Sequence, residues 1–254
     1  MRIAVQCLGQ SGFVLRSGGF ALAIDPYLSD RVATLYGSQL ARKRMSPVSP
    51  SELEDIGVLF VTHAHEDHCD PDTILPLLEA SRHARIIGPP EVMEALTKWG
   101  VPADRFQSAR EDWCAFTTEL RWRAVPAAHP APERDLQGRL RCVGYVVEWS
   151  GRRLYHAGDT SVHPQVLSKL AEIGPPDVAF LPVNERNFFK DRRGILGNMT
   201  VREAFGMAEE IGAAALVPIH WDLFEPNSVF REEIELLYEK LRPGFRLLLE
   251  PTEI

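Results

Sequence analysis

The sequence predicts an α+β fold in which two mixed β-sheets pack together and carry helices on their outer faces. Three observations predict it. Short apolar, partly β-branched runs joined by Gly-rich turns fill residues 3–24 and recur beyond residue 120. Stretches with helical spacing follow each of these two blocks of strands, and strands segregated from covering helices give packed layers. No linker-like segment and no internal repeat beyond this loose two-fold pattern interrupts the chain, so its 254 residues are expected to form one domain, 1–254.

The elements come in order. Residues 3–8 read as a strand, Gly9 to Gly12 as a turn, and 13–16 and 20–24 as two further strands of an antiparallel meander. Asp25 ends the third. Its carboxylate reads either as a turn former or as support for a site at the strand end. Residues 27–50 are rich in proline and mixed in polarity, which marks a long loop and a candidate lid. The Arg42-Lys43-Arg44 cluster in it reads as solvated surface, with anion binding as the alternative.

Val58 to Val61 is a buried strand, and 71–80 a helix with proline near its start. A strand over 84–88 and a helix from Pro89 to the stop at Gly100 complete the first block. In the second, 121–125 is extended, and 143–149 and 153–156 form a hairpin around Ser150-Gly151. A helix at 166–173 and a buried strand at 177–183 come next. Thr200 with Glu203 makes a capping box for a helix to about Gly212. Residues 214–219 are the last core strand, before a helix at 230–241 and a strand at 245–249.

Composition narrows the function classes. Apolar content is 45% and charged content 25%, ordinary for a soluble globular protein. No apolar run reaches the roughly 18–20 residues a membrane helix needs, and the N-terminus enters a strand pattern directly, so no signal peptide is expected. Four scattered cysteines make neither a disulfide framework nor a Cys-x-x-Cys site, and point to a reducing cytoplasm. Cys69 reads as buried filler. The net charge of −7 argues against a nucleic-acid binder. Self-association is left open.

The chemistry concentrates in one stretch. His63-Ala-His65-Glu-Asp67-His68 lies directly after the strand ending at Val61. On an extended segment residues two apart share a face, so His63 and His65 can reach one point. Asp67 and His68 fall where the chain turns away and can face a second point. Imidazole and carboxylate are ligands for borderline divalent cations, whereas four polar groups packed at a strand end have little structural use. Three later positions have the same setting. His129 ends a strand among small residues, and His220 ends the last core strand. Asp159 ends a strand after Gly158, where its two oxygens can bridge two cations. The structural alternative for Asp159 is to cap the helix at 166, a task Thr160 or Ser161 would do equally well. His156 reads as structural. Asn184, Arg186 and Asn198 lie in loops after a core strand and are candidates to grip a phosphate or carboxylate, the alternative being a loop braced by its own side chains.

His-x-His-x-Asp-His after an apolar strand resembles the metallo-β-lactamase superfamily of metal-dependent hydrolases. The resemblance spans nearly the whole chain and implies that family's αββα sandwich, with the site at one edge of the sheets. Relatives that reduce oxygen at iron usually carry Glu where this chain has His65, which favours hydrolysis. Residues 7–12, 99–102, 154–160, 194–200 and 217–222 are similar to a narrower branch, the L-ascorbate-6-phosphate lactonase-like proteins.

This resemblance implies one cation held by His63, His65 and His129 and another by Asp67, His68 and His220, with Asp159 shared. One or two ions, Zn2+ or Mn2+, suit that donor set. A bound cation lowers the pKa of water from ~15.7 to about 7. The hydroxide so formed would open a small anionic lactone or ester, and Asp67, besides ligating, would orient it. Two alternatives accompany this reading. The same site can attack a phosphodiester, as in a phosphodiesterase or nuclease, or hold metal in a metabolite sensor without turnover.

Overall fold

The computed structural model describes residues 2–254. Its first sheet runs in chain order: β1 (Ala4–Gly9), β2 (Gly12–Ser17), β3 (Phe20–Ile24), β4 (Ile56–Phe60), β5 (Arg85–Gly88) and β6 (Phe106–Ser108). The second holds β7 (Cys114–Ala115), β8 (Leu120–Pro126), β9 (Val143–Trp149), β10 (Arg152–His156), β11 (Val178–Pro182), β12 (Ala215–Ile219) and β13 (Arg246–Leu247), also with sequence neighbours adjacent.

Both sheets are mixed in the same way. Hairpin-connected strands pair antiparallel (β1 to β3, β7 to β10), and the strands after them pair parallel. Parallel neighbours need a crossover, usually a helix, and the helices supply it. These are α2 (Pro71–Ala80) and α3 (Pro90–Lys98) on the first sheet, and α4 (Pro164–Ile173), α6 (Val201–Glu210) and α7 (Arg231–Leu241) on the second. Two shorter helices, α1 (Arg31–Tyr36) and α5 (Phe188–Asp191), lie in the connections after β3 and β11.

Burial divides into three apolar layers that match this layout. Between the sheets, Phe60 meets Trp122 and Tyr145 edge-on or tilted at 5.8 and 4.9 Å, and Phe13 meets Phe180 at 4.8 Å. Ile74, Leu77 and Val92 seat α2 and α3 on the outer face of the first sheet. Val166, Phe205 and Ile234 seat the second set of helices on the other sheet. The result is the expected αββα sandwich.

The local rules hold in most places. Asp70 accepts the Asp72 amide at 3.0 Å and Pro71 opens α2, where its missing N–H costs nothing. Thr200 and Glu203 form the capping box of α6. The departures have physical causes. Residues 27–50 are not an unstructured loop: α1 forms within them, and Val32 packs with Tyr27, Leu223 and Phe224 in a small satellite core. The cationic trio there is engaged within the chain. Arg42 donates to the Tyr27 carbonyl at 2.7 Å, Lys43 pairs with Glu225 at 2.7 Å, and Arg44 pairs with Glu250. Helix α4 is capped by neither Asp159 nor its neighbours, because its cap lies further along the chain: His163 Nδ1 accepts the Gln165 amide.

Strand direction, more than strand order, decides which residues can meet. Strands β1, β3 and β4 run one way in the first sheet, and β8, β10, β11 and β12 run one way in the second. Their C-terminal ends carry Gln10, Asp25 and His63, and His129, Asp159, Asn184 and His220, respectively. In sheets with parallel strands, ligand sites form beyond the carboxyl ends.

Candidate metal centre

The two sets of strand ends meet. Ligand atoms of His63, His65 and His129 lie within 4.8 Å of one another; so do those of His63, His68 and Asp159, and those of Asp67, His68 and His220. The seven side chains therefore form one continuous cage of five imidazoles and two carboxylates. Asp159 bridges its halves, with Oδ2 3.7 Å from His129 Nε2 and 3.3 Å from His220 Nε2. Gly158 lets this strand end come close. Its φ is +60°, and a Cβ there would stand 2.7 Å from Thr62 Cβ.

Buried partners behind the cage hold the His68 and His129 rings. His68 Nδ1 lies 2.7 Å from Asp25 Oδ2, so this nitrogen carries the proton and Nε2 faces the cage. Asp25 also accepts the Thr62 amide and hydroxyl, and holds this position at a φ of +43°. Of the two readings of Asp25, the structure thus puts its carboxylate behind a cage imidazole. His129 Nδ1 donates to Asn198 Oδ1 at 3.1 Å, and Asn198 Nδ2 donates to Asn184 Oδ1 at 2.9 Å. Gly197 permits that chain, since its backbone runs against the Glu185 carbonyl, where a Cβ would clash at 2.0 Å. His220 adopts a φ of +62°, a strained conformation of the kind that clusters at functional sites.

Asn184 and Asn198 thus turn their amides toward His129, and both are buried. Neither lines the adjoining cleft. Arg186 is exposed and donates to Ser161 Oγ at 2.8 Å, also away from the cleft. Within the loop Asn198 bonds Asn184, and Arg186 ties it to Ser161. His156 is structural: Nε2 meets the Ser11 carbonyl and Nδ1 accepts the Gly158 amide. Sequence reasoning assigned no role to Gln10. Its Nε2 stands 2.7 Å from Asp67 Oδ2 and 2.9 Å from His220 Nε2, placed there by a φ of +57°. The turn signal around Gly9 was visible, but nothing local showed that the turn faces His220.

Electrostatics separate the two halves. Burial drives the His63 imidazole well below its usual pKa, with His68 and His65 pushing the same way. Burial likewise brings His129 down to about 4. For His68 and His220 burial also pulls down, but the carboxylates override it. With Asp159 and Asp67 alongside, His68 rises well above its usual value and His220 to about 9. Burial alone would raise Asp67 and Asp159, yet the facing imidazoles hold both carboxyls below the usual range.

These atoms fit a cation. His63 Nε2 and His65 Nδ1 are 3.0 Å apart, and His65 Nδ1 and His129 Nε2 3.3 Å. With His63 and His129 protonated on the nitrogens that face Thr62 and Asn198, both turn lone pairs toward His65 Nδ1, which has at most one proton to share between them. Two nitrogens on one tetrahedral zinc, at about 2.05 Å each, stand about 3.3 Å apart. In the other half, His68 Nε2 stands 3.3 Å from Asp159 Oδ1 and 3.7 Å from Asp67 Oδ2, all buried or nearly so, which is donor crowding that a cation would satisfy.

The cage floors a cleft of about 830 Å3, within the range of small-molecule sites. A second cavity of about 700 Å3 lies at the opposite end of the second sheet, around Arg121, Glu148, Arg153 and Asp177.

The sequence matches the beta-lactamase superfamily domain over residues 22–221. The chain belongs to that superfamily. Within it, the chain is 28% identical to a UPF0173 metal-dependent hydrolase of Alkaliphilus metalliredigens, over 91% of this chain and 92% of the other. It is 25% identical to a probable L-ascorbate-6-phosphate lactonase UlaG of Salmonella heidelberg, over 78% of this chain. The chain spans 59% of that lactonase's length, and 59% of an uncharacterized Mycobacterium tuberculosis relative at 29% identity. Within the superfamily the chain is thus similar both to a metal-dependent hydrolase and to a probable lactonase. The fold is shared with Igni18, a metallo hydrolase of Ignicoccus hospitalis: the TM-score is 0.73 at 20% identity, covering 100% of this chain and 98% of the other.

Proposed function

We propose that this superfamily member is a metal-dependent hydrolase that opens a small lactone or ester. One observation carries the reading: seven donor side chains from both sheets converge on one cage. In this reading His63, His65 and His129 hold one cation, Asp67, His68 and His220 a second, and Asp159 reaches both. Zinc or manganese suits the nitrogen-rich donor set. Bound divalent cations acidify water and polarise a carbonyl oxygen.

The chain's own residues supply the rest. Asp25 and Asn198 hold His68 and His129 with their free nitrogens inward. Asp67 is fixed between Gln10 and His220, and its carboxylate orients the attacking water. Asp159 stays ionised between the two histidine groups, and the proton given up by the attacking water passes to the leaving alkoxide, which departs as an alcohol.

Protein loaded with Zn2+ or Mn2+ and offered lactones, aryl esters and phosphodiesters tests the assignment. The expected result is lactone or ester turnover that disappears on chelation and returns with metal. Turnover of phosphodiesters alone would replace it with the phosphodiesterase reading. Metal and metabolite binding without any turnover would replace it with the sensor.

A further inference from the structure

Three segments wall the cleft above the cage, and their side chains differ from the floor. Residues 32–40 contribute Val32, Tyr36, Leu40 and Gln39, whose amide donates to the Tyr36 carbonyl, residues 193–196 contribute Ile195 and Leu196, and the chain after β12 contributes Phe224. Val32, Phe224 and Leu40 pack together with Tyr27 and Leu223, so this wall is built by the fold rather than by a free loop. The wall offers one guanidinium, Arg193, which is exposed and has no ion-pair or hydrogen-bond partner among the described residues. Asn227 also lines the cleft, is 8% exposed, and makes no side-chain hydrogen bond among the described residues. Cations that would suit a phosphorylated sugar are elsewhere, since Arg42, Lys43 and Arg44 are tied to carbonyls or carboxylates of the chain.

We infer that the cleft selects a lactone or ester carrying an apolar chain or ring of several carbons and one polar end, not a phosphorylated sugar. This rests on the hydrolase reading for the bond that breaks, but not for the part of the substrate that is recognised. An unsubstituted five-membered lactone would leave most of about 830 Å3 unfilled. An alkyl substituent would lie against Leu40, Ile195 and Phe224, its polar end reaching Asn227 or Arg193. Burying one methylene is worth about 0.8 kcal/mol, roughly a fourfold gain in affinity.

The test separates recognition from chemistry. Metal-loaded protein is titrated calorimetrically with nonanoate and with 6-phosphogluconate, and assayed with γ-butyrolactone and γ-nonalactone. Nonanoate should bind at least tenfold more tightly than 6-phosphogluconate, and γ-nonalactone should exceed γ-butyrolactone at least tenfold in kcat/KM. Ile195→Asp, in the loop wall, and Leu40→Asp, in the opposite wall, should each weaken nonanoate at least tenfold. Tighter binding of 6-phosphogluconate, or nonanoate binding untouched in both variants, overturns the inference. Nonanoate preference without turnover of either lactone supports the apolar site and instead removes the lactonase reading.

Discussion

The two cavities of the second sheet are similar in size and both lined with charge, yet they are built in opposite ways. At the end where strands begin, Arg153 donates to Glu148 at 2.8 Å, Arg121 reaches the same carboxylate, and Arg152 pairs with Asp177 at 3.3 Å. Each guanidinium there has a carboxylate, and nothing is left for a ligand. At the end where strands finish, imidazoles face one another at 3.0 to 3.3 Å, and five rings crowd around two carboxylates. Charge density alone therefore does not mark a site; like donor atoms crowded beyond what pairing explains do.

Removing the bridging carboxylate should break this contrast most strongly. Asp159→Asn is expected to lower turnover by roughly 10³-fold, since several kcal/mol of cation-mediated stabilisation would be lost. Elemental analysis should show metal content falling with it; full metal content and full activity would refute the cage as the reaction centre. A smaller effect is expected one step outward. Asn198→Ala frees the His129 ring, and losses of orienting partners typically cost about 10–100-fold in metal affinity or activity. Competition with a metal-binding dye would measure it, and unchanged affinity would show that the ring needs no such brace.

Chelated protein sharpens the comparison through pH. His220 stands at about 9 when folded, against an unfolded value near 6.5. The folded state thus holds its proton more tightly. That stabilisation is complete below about pH 6.5 and disappears as pH rises through about 9. The urea midpoint of chelated protein should fall across that window, and His220→Gln should flatten the fall. Metal binding at neutral pH should release protons, seen as a buffer-dependent binding enthalpy. The smallest effect belongs to the other cavity. Arg152→Ala removes a half-exposed pair worth at most about 1 kcal/mol, so melting should shift by only about 2–4 °C, with metal content unchanged.

How much of this could be read beforehand depends on the range of the interactions. The His63 to His68 stretch was legible because strand periodicity and ligand chemistry act over a few neighbouring residues. His129, Asp159 and His220 were legible as strand ends, though only the shared direction of β8, β10 and β12 shows why they meet. Helices with local signals, such as Pro71 opening α2 or Thr200 with Glu203 on α6, appear where expected. What escaped depends on distant packing. Nothing around Gln10 shows that it will face His220, and no local rule turns Asn198 inward to His129. Helix α1 is a short segment held by Phe224 from the far end of the chain, so its own residues read as loop.

Because the ligands are drawn from strand tips on both sheets, neither half of the molecule owns a complete binding pocket. An ion seated there would work as a rivet across the seam, gripping only once the halves have docked in register. Capture of metal would then report finished assembly, and a chain caught half-folded would have little means of stealing ions from its surroundings.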